Sequence, residues 1–187
     1  MSKISLTPNA SGTGTLTIAA PNTSTDRTLT LPDSTGNIQL LNYAPLLMAT
    51  MGGGHQTISF DTATKVSLAN TVTDTNSFFD TTNNRYLPTI AGYYQVSCSL
   101  AIFATTWDIA IAWIYKNNTP IIRGMDIRFS SSVGAGDLVC VVTGIVAMNG
   151  TTDYIDLRGY ISAGSGTPQF IDDSTKTFMH AHFIREL

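Results

Sequence analysis

The stretch Gly92-Tyr-Tyr-Gln-Val-Ser-Cys-Ser-Leu-Ala-Ile-Phe103 decides the fold of this chain. Apolar side chains occupy alternate positions along it, at Tyr94, Val96, Cys98, Leu100 and Ile102. Because successive side chains of a strand point to opposite faces, this spacing predicts a long strand with one face in a hydrophobic core. We therefore expect Tyr94 to point inward and Cys98 to be a buried thiol.

Short strands continue from His55 to the end of the chain, and no long apolar stripe has helical spacing. The predicted strands are Thr57–Phe60, Lys65–Leu68, Arg85–Leu87, Gly92–Phe103, Asp108–Tyr115, Pro120–Arg123, Met125–Ser130, Asp137–Met148, Tyr154–Ile161 and Thr177–Arg185. Turns at Lys116–Pro120 and at Met148-Asn-Gly150 each join two of these strands, and the Asn-Gly pair favours a tight hairpin. The pattern predicts an all-β, ten-strand jelly-roll sandwich over residues 55–187.

Two features of the composition predict oligomerisation. Charged residues make up 12% of the chain, about half the 25% that is usual for soluble domains. The segment Leu138–Val146 is apolar at nearly every position, so both faces of that strand are expected to be covered. In a domain of this size, the outer face of such a strand is expected to meet another subunit.

The first forty residues contain four apolar couplets, Ile4-Ser-Leu6, Leu16-Thr-Ile18, Leu29-Thr-Leu31 and Ile38-Gln-Leu40, separated by turn residues. Two apolar side chains per strand cannot bury a core, so residues 1–40 are interpreted as a β-repeat segment for assembly or attachment. Residues 41–54 form a charge-free connector that ends in Gly52-Gly53-Gly54, a linker or hinge. A short helix is predicted after Pro45.

Charge and apolar content exclude several classes of protein. The net charge is −3 and the ten basic residues are scattered singly, which argues against nucleic-acid binding. No apolar run approaches the roughly 18 residues of a membrane span, and Met1-Ser-Lys3 leads directly into β pattern without a secretory signal. Cys98 and Cys140, both in predicted strands, are interpreted as buried reduced thiols rather than a disulfide.

Enzyme motifs are absent from the sequence. It contains no Gly-x-Ser-x-Gly elbow, no phosphate loop and no His-Glu-x-x-His zinc helix. Gly134-Ala-Gly136 is interpreted as a turn that enters a strand, with Asp137 fixing that turn, and Asp172-Asp173 as an exposed loop pair. We therefore predict a non-enzymatic protein with no catalytic residue, no cofactor and no bound metal.

His180 and His182 leave one question open. Their spacing places both imidazoles on one face of a strand, together with Phe178 and Ile184. Six imidazoles from three chains on a threefold axis would suit a transition metal. The alternative, which we favour, is that both are hydrogen-bonded residues of the sandwich or of an interface.

A second set of alternate residues carries charge and aromatic rings. Tyr154, Asp156, Arg158 and Tyr160 share one face of a strand, and Ile155, Leu157, Gly159 and Ile161 share the core face. The first set is either a solvated face or a subunit contact with its charges paired. Trp107, Trp113 and Phe103 are expected to pack in the core, with a binding patch as the alternative.

The segment Phe79-Asp-Thr-Thr-Asn-Asn-Arg-Tyr-Leu-Pro-Thr-Ile-Ala-Gly-Tyr-Tyr-Gln-Val96 resembles the globular heads of the complement C1q and tumour necrosis factor (TNF) superfamily. Further matches follow in family order, at Ile109–Asn117, Gly136-Asp-Leu-Val139 and Thr177-Phe178, so the resemblance covers residues 57–187. Met179-His-Ala-His182 departs from the small Ser-Gly pair of the family. The resemblance implies a ten-strand jelly roll that assembles as a homotrimer and that binds rather than catalyses.

The segments Gly14–Asn22 and Asp26–Gly36 resemble repeats of fibres and appendages of tailed bacteriophages. Together the two resemblances imply a virion protein, assembled in the host cytoplasm. Residues 1–40 would contact other virion proteins, and the head would ornament the capsid or bind a host-surface glycan or receptor through the loops at Asp74–Asn84 and Ser162–Thr175. The alternative is a soluble trimeric adhesion or lectin-like module that binds a carbohydrate or small ligand.

Overall fold

The structure, a computed structural model, describes residues 11–15, 17, 22, 24–26, 28, 44–128, 136–162 and 164–187, with only the backbone of residues 136 and 137. The chain divides into two units, residues 1–38 and residues 39–187, and all strands described below belong to the second. The apolar residues of the four couplets and Gly134 lie outside the described residues, so the attachment segment stays a prediction.

Fourteen strands make up the described part of the second unit, which confirms the all-β prediction. They are β1 (Leu46–Thr50), β2 (Gln56–Thr57), β3 (Thr64–Lys65), β4 (Asn70–Asp74), β5 (Phe79–Asp80), β6 (Arg85–Tyr86), β7 (Gly92–Ala104), β8 (Ile109–Lys116), β9 (Thr119–Arg123), β10 (Ile127–Arg128), β11 (Gly136–Met148), β12 (Ile155–Ile161), β13 (Gln169–Phe170) and β14 (Phe178–Arg185). Among the described residues there is no helix, and hence none that could cross a membrane.

The strands form two antiparallel sheets of seven strands each. Sheet A has the order β2-β13-β7-β14-β1-β4, and β11 pairs with the other edge of β7 along its whole length. Sheet B has the order β10-β8-β12-β6-β5, with β9 beside β8 and β3 beside β12. Two packed antiparallel sheets are the sandwich that the sequence predicts.

The core lies between the sheets and follows the predicted alternation. Sheet A contributes Tyr94, Val96, Cys98, Leu100 and Ile102, all no more than 1% exposed, and sheet B contributes Ile155, Leu157 and Ile161. Gly159 completes the core face of β12. A Cβ there would lie 2.5 Å from Leu100 and from Phe170, so the two sheets approach too closely at this point for any side chain.

The helix predicted after Pro45 is wrong. Residues Leu46–Thr50 form strand β1, which pairs with β14 and β4 and lies within the predicted connector. Leu47 and Ala49 point into the core while Leu46 faces outward. The reason is long-range: β14 offers an open edge, and pairing with it satisfies the backbone groups of a segment that is too short to form a stable helix alone.

Two other differences concern connections. The Asn149-Gly150 turn does not make a hairpin, because β11 belongs to sheet A and β12 to sheet B. Asn149 Oδ1 accepts the N–H groups of residues 151 to 153, so its side chain caps a loop that crosses between the sheets. By contrast, Asn117 and Asn118 have positive φ angles of 49° and 66° and close the β8–β9 hairpin as predicted.

Candidate functional site

The outer surface of sheet A, here called face A, is a candidate assembly surface. It consists of the outward residues of β7, β11 and β14, namely Tyr93, Gln95, Ser97, Val139, Val141, Thr143, Ile145, Phe178, His180 and His182. The pairing of β11 and β14 with opposite edges of β7 places these residues side by side. None of them is Asp, Glu, Lys or Arg.

Strand β11 gives face A its apolar character. Val139, Val141 and Ile145 are 39%, 56% and 60% exposed at alternate positions, while Cys140, Val142 and Val146 between them are buried in the core. Among the described strands β11 pairs only with β7, so its other edge is also open. A long, flat, apolar edge strand is a surface that proteins ordinarily cover.

The polar groups at the middle of face A bond to one another. Thr143 Oγ1 accepts a hydrogen bond from Gln95 Nε2 at 2.8 Å and lies 2.8 Å from Ser97 Oγ. The Thr143 hydroxyl also lies 3.1 Å from the Val96 carbonyl oxygen, to which it donates. Because these groups are already satisfied within the chain, covering them with another surface leaves fewer buried polar atoms unpaired.

The two histidines lie on face A as predicted, beside Phe178. The His180 ring stacks on Phe178 with a centroid distance of 4.6 Å, and its Nε2 atom is buried without a hydrogen-bond partner. Burial lowers the pKa of His180 below its ordinary value of 6.5. His182 is exposed opposite Leu46. In the part of the chain that the structure describes, no three His, Cys, Asp or Glu side chains form a group that would hold a metal.

A recess opens at one end of face A. It has a volume of about 320 Å³ and is lined by Tyr93, Ile145, Ile184 and Arg185. The Arg185 guanidinium lies 5.4 Å from the centroid of the Tyr93 ring, which holds one wall in place. An apolar side chain of a partner would fit such a recess, as anchor residues of interfaces do.

The outer surface of sheet B, here called face B, carries the predicted charged set. Asp156 is fully buried there and pairs with Arg158 Nε at 2.7 Å and with Lys65 Nζ at 3.3 Å. Tyr160 donates to Asp61 Oδ1 at 3.1 Å. Of the two alternatives left by the sequence, the charges are paired along and between strands of one chain.

Aromatic rings and cations alternate across face B. Trp113 stacks on Tyr115 at 5.8 Å, and the guanidinium groups of Arg123 and Arg158 lie 5.4 and 4.1 Å from the Trp113 and Tyr115 centroids. Trp107 packs in the core instead, at 5% exposure, and Phe103 lies on sheet A. The predicted patch of Trp107, Trp113 and Phe103 is therefore not formed, and Trp113 does not occupy the core.

The remaining sequence candidates have structural roles. Asp172 Oδ2 accepts the Gly54 N–H at 2.8 Å, and Asp173 accepts the backbone N–H and hydroxyl of Thr175. The loop after β4 is held by Asp74, which accepts the Phe79 N–H. Cys98 and Cys140 are free and buried, as predicted, and burial raises the pKa of Cys140 to about 12. The side chain of Asp137 lies outside the described residues.

The fold is similar to three groups of solved structures. The Eiger TNF of S. frugiperda has a TM-score of 0.58 at 11% identity, over 77% of this chain and 93% of that chain. The globular domain of zebrafish complement 1qA has a TM-score of 0.52 at 12% identity, over 77% and 99% of the two chains. Murine APRIL has a TM-score of 0.57 at 11% identity, over 75% and 99%.

No protein-family model matches the chain. No curated protein matches its sequence. The structural likeness therefore establishes a C1q/TNF-like jelly roll, and the resemblance carried by the segment from Phe79 to Val96 is confirmed at the level of the fold. Face B is the feature that sequence reasoning missed: parity placed its β12 residues together, but Arg123 comes from a strand whose pairing the sequence does not specify.

Proposed function

We propose that the chain is a non-enzymatic homotrimeric protein whose jelly-roll head self-associates through face A. The observation that carries this proposal is the row of exposed aliphatic side chains on β11, Val139, Val141 and Ile145. Isolated exposed apolar residues are ordinary on protein surfaces, but a contiguous uncharged row on an open edge strand is typical of an interface. The C1q/TNF resemblance supplies the threefold stoichiometry.

We further propose that residues 1–40 attach the trimer to a tailed-phage virion, as a fibre or a capsid decoration. The support is the resemblance of Gly14–Asn22 and Asp26–Gly36 to phage appendage repeats, together with couplets that bury too little apolar surface to fold alone. Three copies held together by the heads would place three such segments side by side, where their narrow apolar faces can close against one another or against the particle.

A soluble trimeric adhesion or lectin-like module is the second candidate function. A recess on face B favours it, because cavities with aromatic walls and a few polar groups are typical ligand sites. On this alternative the first forty residues would have no particle to contact, and the head would act alone.

The trimer is tested by changing face A and measuring mass. For the whole chain we expect three times the chain mass of 20.0 kDa in sedimentation equilibrium. The substitution Ile145→Lys places an unpaired charge in the interface and should give monomers, since an uncompensated buried charge costs several kcal/mol. The matched control is Ile121→Lys on β9 of sheet B, where the native side chain is 42% exposed. A trimer that survives Ile145→Lys, or is lost in the control, contradicts the proposal.

Attachment is tested by deleting residues 1–40. The shortened chain should remain folded and trimeric but should no longer bind to particles. Antibody raised against residues 60–187 then separates the roles on intact virions, because label on the shell indicates decoration and label on the tail indicates a fibre. Absence of label from every virion component would favour the soluble module.

A further inference from the structure

Face B contains a recess of about 360 Å³ lined by Ala63, Ile109, Ile111, Trp113, Arg123 and Tyr160. The volume falls at the lower end of the range for small-molecule sites. Alternate outward residues of β8, Ile109, Ile111 and Trp113, provide an apolar floor and one aromatic wall. Strand β12 provides Tyr160 opposite Ile111, so the cavity is built from neighbouring strands rather than from loops.

The walls of this recess are held in place before any ligand arrives. Trp113 is fixed by its stacking on Tyr115 and by the guanidinium of Arg123. Its indole Nε1 is buried and has no hydrogen-bond partner. Rings that are already ordered lose little conformational entropy when a ligand binds, so a rigid platform of this kind favours recognition of a small, flat molecule.

The rim offers donors and acceptors in pairs. Arg123 donates from Nε and from its terminal nitrogen to the two carboxylate oxygens of Asp126, both at 2.8 Å, and Tyr160 donates to Asp61. Each cation is therefore offset by a carboxylate, which disfavours a simple anion as the ligand. Vicinal hydroxyl groups both donate and accept, so they match a rim in which guanidinium, phenol and carboxylate groups alternate.

We propose that this recess is a saccharide-binding site, in which the C–H face of one pyranose ring rests on Trp113 and Ile111 and its hydroxyl groups bond to Arg123, Asp126 and Tyr160. The inference deepens the second candidate function and does not depend on trimer formation, because the recess lies on the opposite sheet from face A. If face A is covered by other copies, face B is the surface that remains open to solvent.

The test uses the two tryptophans of the chain as reporters. In whole chain labelled with ¹⁵N-tryptophan there are two indole resonances, which Trp113→Phe assigns. Methyl glycosides of glucose, galactose, mannose and N-acetylglucosamine are titrated one by one. At least one of them should shift the Trp113 resonance in a saturable way, with a dissociation constant of about 1 to 10 mM. The resonance of buried Trp107 should stay unchanged.

Paired tyrosine variants test the rim. Tyr160→Phe removes only the hydroxyl and should weaken binding about three- to tenfold, the value of one hydrogen bond. Tyr154→Phe is the matched control, since Tyr154 lies under Arg85 and does not line the recess. No shift of Trp113 with any of the four glycosides overturns the proposal, as does equal binding by the Tyr160 variant and wild type. Mass measured on the same samples separates failure of this site from failure of the trimer.

Discussion

Face A and face B are the outer surfaces of two sheets in one sandwich, yet their chemistry is opposite. On face B every charge has a partner, as in the contacts of Asp156 with Arg158 and Lys65. On face A the central polar residues are uncharged and bond among themselves, and the strand at the edge exposes Val141 and Ile145. Face B has the composition of a surface that meets water, whereas face A has that of a surface that is covered.

The difference explains how one β-sandwich supports two functions. A surface covered by identical copies gains from apolar side chains and from polar groups that need no water. A surface that stays in water keeps charges in pairs and uses aromatic rings under cations as rigid elements. Recognition is therefore expected on face B and assembly on face A.

The largest effect is expected beneath both faces, at Tyr94 in the core. Its ring is fully buried and contacts Tyr86 and Phe183 edge-on. Tyr94→Ala should lower the free energy of unfolding by about 3 to 5 kcal/mol, measured by urea denaturation. Tyr94→Phe removes only the bond from the hydroxyl to the Ile90 carbonyl and should cost about 1 kcal/mol. A loss below about 1 kcal/mol in the alanine variant would contradict the packing described here.

Breaking the charge pairs of face B should have the next largest effect. Asp156→Asn leaves Arg158 and Lys65 without their shared carboxylate, and because Asp156 is fully buried we expect a loss of about 2 to 3 kcal/mol in the same assay. The control is Asp80→Asn, which breaks a more exposed pair with Arg85 and should cost about 1 kcal/mol or less. Equal losses in the two variants would mean that burial of Asp156 does not strengthen its ion pairs.

The smallest effect concerns pH and belongs to face A. Because burial lowers the pKa of His180 below 6.5, the unfolded chain binds this proton more readily than the folded chain. The stability that neutral His180 contributes is therefore complete above the ordinary pKa and is lost as the pH falls through the lowered one. Wild type should lose stability between about pH 7 and pH 5.

The matched variants assign this pH effect to one side chain. His180→Gln should flatten the stability profile over that range, whereas His182→Gln should keep the wild-type slope because His180 is still present. The carboxyl groups of Asp80 and Asp153 have pKa values below 3.8, so they titrate outside the window. An unchanged slope in His180→Gln would show that other groups control it.

Much of the fold follows from local pattern. The alternation from Tyr94 to Ile102 and from Ile155 to Ile161 predicts which side chains enter the core, because strand periodicity is a local property. Strand β1 was missed for the opposite reason. A short apolar run such as Leu46–Thr50 fits a helix or a strand equally, and its partner β14 lies at the other end of the chain.

The candidate sites are less predictable than the core. Parity places His180 with His182 and Asp156 with Arg158, but it does not say which sheet each pair belongs to. Trp113 and Arg123 meet only because β9 pairs with β8, and the sequence contains no signal for the cavity that they line. Long-range pairing decides these sites, and one sequence specifies it only through the complete fold.

Hydroxyl-radical footprinting of the whole chain tests the central claim most directly, because it reads both faces in one sample. In a single copy Ile145 on face A is 60% exposed and Ile121 on sheet B is 42% exposed, so a monomer would be oxidised at Ile145 at least as fast as at Ile121. If face A is covered by other copies, oxidation at Ile145 should be far slower than at Ile121. Oxidation of Ile145 at the rate of Ile121 or faster would contradict the assignment of face A as the assembly surface.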